Sequence, residues 1–115
     1  MGKAILAHSS NDVVDAYLAS GLVQKTATSY SDPGALLAEL SRIRVRGAAY
    51  DDGEAVDEVT CVAAPIFERG DVRAAVSVCA VRNALDVEAM SGRVRAAAIA
   101  IERRLHDVRP AALSA

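Results

Sequence analysis

Aromatic side chains are scarce in this sequence: tryptophan is absent, phenylalanine occurs once and tyrosine three times in 115 residues. Yet 52% of the residues are hydrophobic. The core must therefore be built from Ala, Val and Leu. A chain of this size buries roughly two-thirds of its unfolded surface, enough for one domain. Long apolar runs are missing as well. None approaches the ~20 residues of a membrane span. No cleavage-like segment follows the short opening Met1 to Ala7, so no signal peptide is expected. Cysteine occurs only twice, without a framework pattern, which points to a reducing cytoplasm.

Other chemistries lack their residues too. His8 and His106 fall on different helices, with no acid or cysteine at ligand spacing, so no metal site is expected. The glycines stand singly, so no phosphate loop forms and no cofactor is expected. The acids Asp51, Asp52, Glu54, Asp57 and Glu58 lack the spacing of an EF-hand loop and read as a solvated turn. Neither Cys61 nor Cys79 has a histidine partner, so no enzyme is expected. Basic charge is in slight deficit, with 13 Lys and Arg against 15 Asp and Glu. Arg42, Arg44 and Arg46 spread around the end of one helix, where cations complement its dipole. The chain alone is not expected to bind DNA.

What is present is a series of clear local signals. Gly2 to Ala7 reads as the end of a helix. Ser9 followed by Asp12 has the form of a capping box, and Val13, Val14, Tyr17 and Leu18 continue at helical spacing to Gly21. Thr26 to Tyr30 is a short strand or an extended loop. Asp32-Pro33 starts a helix with an N-cap acid and a proline in the first turn. Leu36, Leu37, Leu40 and Ile43 face inward from it, and Gly47 closes it. Ala48 to Asp52 is a short strand. Val59–Phe67 and Val72–Val81 are β-rich and flank Glu68-Arg69-Gly70-Asp71, a hairpin signal. Val87, Met90, Val94, Ala97, Ile101 and Leu105 mark a long last helix. Together these predict an α+β domain over residues 1–109, an antiparallel sheet with helices packed on one face, and a disordered tail at 110–115.

A three-residue turn with Gly70 left-handed would pair Phe67 with Asp71, Cys61 with Ser77 and Val62 with Val76. One face then carries Val62, Ala64, Ile66, Val72, Ala74, Val76 and Val78. The other carries Cys61, Ala63, Ala75, Ser77 and Cys79. In this register the two cysteines are diagonal neighbours, too far apart for an easy disulfide. Small residues on the second face leave room for a ligand. They equally suit the close approach of a helix or of a second subunit.

Four ordered pieces resemble one family. Leu40 to Glu54 looks like the helix-to-strand signature of the effector domain of IclR-type transcription regulators. Cys61-Val62-Ala63-Ala64-Pro65-Ile66-Phe67 is similar to its cysteine-apolar-Ala-Ala-Pro strand, and Ala74 to Val78 resembles the strand after it. Gly2 to Ala7 looks like its Gly-Lys-Ala helix. The resemblance runs from Gly2 to about Leu105. It departs at Glu58, where the family has glycine, and at Cys79-Ala80-Val81, where it has serine-glycine-proline. The family's winged helix and the first part of its effector domain would precede Gly2.

The resemblance implies a GAF/profilin-like sensor fold, binding a small organic or aromatic acid. Carried over by position, ligand contacts fall on Asp51, Val59, Cys61, Ser77 and Cys79. It also implies homo-oligomers, a dimer or tetramer, and action on DNA only through a separate winged-helix domain. The alternative is an interaction module that oligomerises without any ligand, since a sheet with an unpaired edge invites another chain.

Overall fold

A computed structural model of the chain describes residues 1–22, 32–54 and 56–114, with side chains described as far as Asp107. The chain runs α1 (Gly2–Ala7), α2 (Asn11–Ala19), α3 (Pro33–Arg46), β1 (Ala49–Asp52), β2 (Val59–Glu68), β3 (Asp71–Val81) and α4 (Val87–Ser114). The strands form one antiparallel sheet in the order β1-β2-β3. The Thr26 to Tyr30 expectation lies outside the described residues. That of a disordered 110–115 tail falls beyond the described side chains.

Local chemistry sets the helix ends. The N-cap of α2 is Ser10, one residue later than the Ser9 box: its hydroxyl accepts from the Val13 amide. Ser9 instead donates to the Ile5 carbonyl at 2.7 Å and closes α1. Asp32 caps α3, accepting from the Gly34 amide at 3.2 Å, with Pro33 in the first turn. Gly47 ends α3 at φ +80°, a left-handed position where a Cβ is strained.

Helices cover both faces of the sheet, not one. Val62, Ala64 and Ile66 pack against Val94 and Ala98 of α4. Ala49 and Ala63 turn the other way and join Ala4, Ala7, Val14, Leu36, Leu40 and Ile43, so that face is covered by α1, α2 and α3. Alternation along β2 forces this division: both its faces are apolar, so both need a cover. On α3, Leu36, Leu40 and Ile43 are buried and Leu37 is exposed. The inward stripe of α4 runs Met90, Val94 and Ala98, then reaches Glu102, which accepts from the Phe67 amide at 3.0 Å. Ile101 and Leu105 lie outside that stripe, each more than a third exposed.

The hairpin register differs from the expected one by two residues. The turn has two residues, Arg69 at φ 54° and Gly70 at φ 84°, and Glu68 pairs with Asp71. Two left-handed residues match the twist of the flanking strands better than the longer turn does. A bulge at Ile66/Phe67 adds the second step, leaving Arg73 between the pairs Ile66↔Ala74 and Phe67↔Val72. Beyond the bulge Cys61 faces Cys79, Ala63 faces Ser77 and Val62 faces Val78. Because side chains alternate with period two, a two-residue shift keeps each on its expected face. Val72 is the exception: it lies beyond the bulge, opposite Phe67.

Candidate functional site

The small residues of the sheet are where the interior opens. Ala49 of β1 with Cys61 and Ala63 of β2 form the floor of a cavity of about 470 Å³. Gly2, Lys3, Ile5 and Leu6 of α1, Val13 and Tyr17 of α2, Leu22 and Leu36 form its walls. Alanine and cysteine cannot fill the space a larger strand residue would occupy, so the helices stand off the sheet there. The polar lining comes from Lys3, Ser9, Tyr50, Asp51 and Glu54.

Hydrogen bonds hold α1 over this floor. The Lys3 ammonium donates to the Tyr50 carbonyl and pairs with the Glu54 carboxylate at 2.8 Å. Arg44 donates to the Ala7 carbonyl, tying α3 to the end of α1. The His8 ring stands edge-on to Phe67, 5.1 Å between centroids. Behind β1, Arg46 donates to the Ala48 carbonyl at 2.8 Å and lies 4.0 Å above the Tyr50 ring. Glu39 accepts from both Arg42 and Arg46 at 3.0 Å. Arg44 and Arg46 thus tie α3 to its neighbours, while Arg42 pairs within α3.

Two carboxylates are set by opposing forces. Burial pushes Glu54 above the ordinary carboxylate range, and the Lys3 ammonium offsets only part of that. Burial also raises Glu39, but hydrogen bonds from Arg46 and Arg42 outweigh it and hold it below its usual value. At the open end of the sheet, hydrogen bonds from Arg82 and Thr60 hold Asp52 low.

Of the expected site residues, Asp51 and Cys61 line the cavity. Asp51 also accepts from the Glu54 amide at 2.8 Å, which shapes the turn after β1. Ser77 sits opposite Ala63, one row from its expected place. Val59 pairs with Val81 at the end of the hairpin. Neither is on the cavity wall. Cys79 faces Cys61 with Cα atoms 4.1 Å apart, and the two are joined as a disulfide. The diagonal placement predicted from the longer turn is thereby corrected. The row Asp51, Cys61, Cys79 crosses all three strands.

Lys3, Ser9, Tyr17 and Glu54 also line the cavity, although the sequence marks none of them as a site residue. Glu54 is hidden in the sequence by the acids around it, of which Asp52, Asp57 and Glu58 are exposed. The others belong to helices whose approach to the sheet no local pattern encodes. No group of described residues has the makings of a metal site, and no described helix is long and apolar enough to cross a membrane.

These features define an α+β domain with an apolar cavity between an antiparallel sheet and the helices on one of its faces. Residues 1–103 match the family described as bacterial transcriptional regulator IclR C-terminal, and the chain belongs to that family. It is 38% identical over 111 residues to the uncharacterized HTH-type transcriptional regulator RhmR of Escherichia coli (strain K12), covering 91% of this chain and 42% of RhmR. The crystal structure of the Thermotoga maritima IclR superposes with a TM-score of 0.85 at 34% identity, covering 90% of this chain and 44% of that one. An IclR homolog from Microbacterium hydrocarbonoxydans, crystallised with 4-hydroxybenzoate, gives a TM-score of 0.86 at 29% identity, covering 92% and 44%. The chain thus spans less than half the length of these relatives.

Proposed function

We propose that this chain is an effector-sensing domain of an IclR-type transcription regulator, acting in the cytoplasm through a winged-helix domain attached to it or supplied by a partner. The observation that carries this reading is the cavity of about 470 Å³ floored by Ala49, Cys61 and Ala63. It falls within the ~300–1,000 Å³ of small-ligand sites and has their character, mostly apolar walls with a few convergent polar groups. The Microbacterium homolog's 4-hydroxybenzoate complex supports an aromatic acid as the ligand class. Asp51 would accept a hydrogen bond from a ligand hydroxyl, Lys3 would face its carboxylate, and Tyr17 would flank its ring. Val59, Ser77 and Cys79 are assigned no direct contact.

Thermal-shift titration with 4-hydroxybenzoate and related acids tests this. A hundredfold excess over Kd stabilises by about 2.7 kcal/mol, which raises Tm by about 10 °C in a domain of this size. Ala63→Leu projects three carbons into the cavity and should abolish the shift while leaving the circular dichroism spectrum unchanged. An equal shift in that variant would refute the site.

The exposed β3 edge, with Val78 and Val81 39% and 68% accessible, favours a second reading as an oligomerising module. Sedimentation of the ligand-free chain separates the two: assembly without any response to acids supports the second.

A further inference from the structure

We propose that Cys61 and Cys79 form a reversible thiol–disulfide site, oxidised and reduced by exchange with a low-molecular-weight disulfide and its thiol. The two residues are direct partners across the β2-β3 ladder, with Thr60↔Ala80 on one side and Val62↔Val78 on the other. The ladder sets the two residues opposite each other, with Cα atoms 4.1 Å apart in the bonded pair. Because the ladder pairs continue on both sides, the strand register does not rest on the bond alone.

Access differs between the two sulfurs. Cys79 is exposed on β3, the last strand of the sheet among the described residues. Cys61 is half-buried on the central strand and faces the cavity. One thiol is thus reachable by a solute, and the other waits directly behind it to resolve the adduct. The chain's relatives are transcriptional regulators. They act beside DNA, where thiols are kept reduced and disulfides are typically transient or sensing rather than structural.

The exchange has two steps. The Cys79 thiolate attacks one sulfur of the small disulfide, that S–S bond breaks, and one small thiolate leaves. Cys61 loses its proton to solvent and attacks the Cys79 sulfur, expelling the second small thiolate. Once both leaving thiolates take up protons, the two cysteines have lost two electrons and two protons and the small disulfide has become two thiols. Reduction is the reverse. Because Cys61 belongs to the cavity floor, the site lets redox poise alter the surface that would meet a ligand.

The test uses the whole chain in glutathione buffers of graded ratio, with free thiols trapped by iodoacetamide and counted by intact mass. Both thiols should disappear together, at a ratio independent of protein concentration and with no lasting adduct. Cys61→Ser should retain a glutathione adduct on Cys79, whereas Cys79→Ser should acquire one at least about tenfold more slowly, because the remaining thiol is less accessible. Two alkylatable thiols in fully oxidised glutathione, or loss only through dimers linked by disulfides, would overturn the proposal. The wild-type titration reads the site even if a variant fails to fold. It involves no cavity ligand, so its outcome is separate from that of the effector reading.

Discussion

Replacing Lys3 with methionine would remove the cation that anchors α1 over the cavity. The Lys3 and Glu54 side chains are only 15% and 17% exposed, and their charged atoms lie 2.8 Å apart. The same ammonium also donates to the Tyr50 carbonyl. Methionine keeps most of the apolar stem but takes the Lys3 ammonium away from a half-buried carboxylate. Loss of a fully buried partner costs about 3–5 kcal/mol. A hydrogen bond to a charged group contributes about 1.5–3 kcal/mol. Since this pair touches solvent and Glu54 can take up a proton, the cost at pH 7 should be about 2–3 kcal/mol, or about 8–12 °C in Tm.

The pH dependence of that loss carries the sharper test. Burial raises Glu54 above its unfolded value, so in the folded state it binds its proton more readily. Such a group contributes stability that is complete below the unfolded value and is lost as pH rises through the folded one. Removing Lys3 raises Glu54 further and widens that window upward. The deficit of Lys3→Met against wild type should therefore shrink as pH falls from 7 to about 5. Adding Glu54→Gln should recover part of the stability and flatten the difference. Chemical denaturation across this pH range measures it. A variant within about 2 °C of wild type at pH 7, or a deficit that grows on acidification, would refute the reasoning.

Leu40, 1% exposed at the centre of the α1–α3 packing, should cost about 2–5 kcal/mol when cut to alanine, read as a lower denaturant midpoint with unchanged slope. Gly47→Ala should cost about 1–2 kcal/mol, because the residue holds φ +80° and a Cβ would stand 2.9 Å from the Arg95 Nε; an equal or higher Tm would contradict the left-handed cap. Glu39 is held low by Arg46 and Arg42 despite its burial, so its stabilisation is present above the ordinary glutamate value and is lost as pH falls through the folded one. Glu39→Gln should be less stable than wild type at pH 7, with a shallower acid-side decline; parallel acid unfolding curves would rule this out.

The parts of the fold legible in the sequence are those decided within a few residues. Asp32-Pro33 and Gly47 bound α3 because an N-cap carboxylate and a left-handed glycine act on their own helix ends. Alternation in β2 and β3 assigned Cys61, Ala63, Ser77 and Cys79 to a common face, and period two preserved that assignment through a two-residue shift. The family resemblance, spread over four ordered pieces, was likewise readable along the chain.

Tertiary structure decided the rest. Whether Cys61 meets Ser77 or Cys79 depends on a two-residue turn and a bulge at Ile66/Phe67 in a hairpin that packs against α1 and α4. The cover on the second sheet face was unreadable because small apolar residues suit a ligand, a helix or a subunit equally. Lys3 and Glu54 are separated by 51 residues and become a pair only when α1 lies across the end of β1. Local chemistry acts over one or two turns of chain, whereas a cavity is the gap between elements that meet only once folded. Local pattern was enough for the elements, most of their faces and the family, whereas packing fixed the register, the cysteine pair and the cavity.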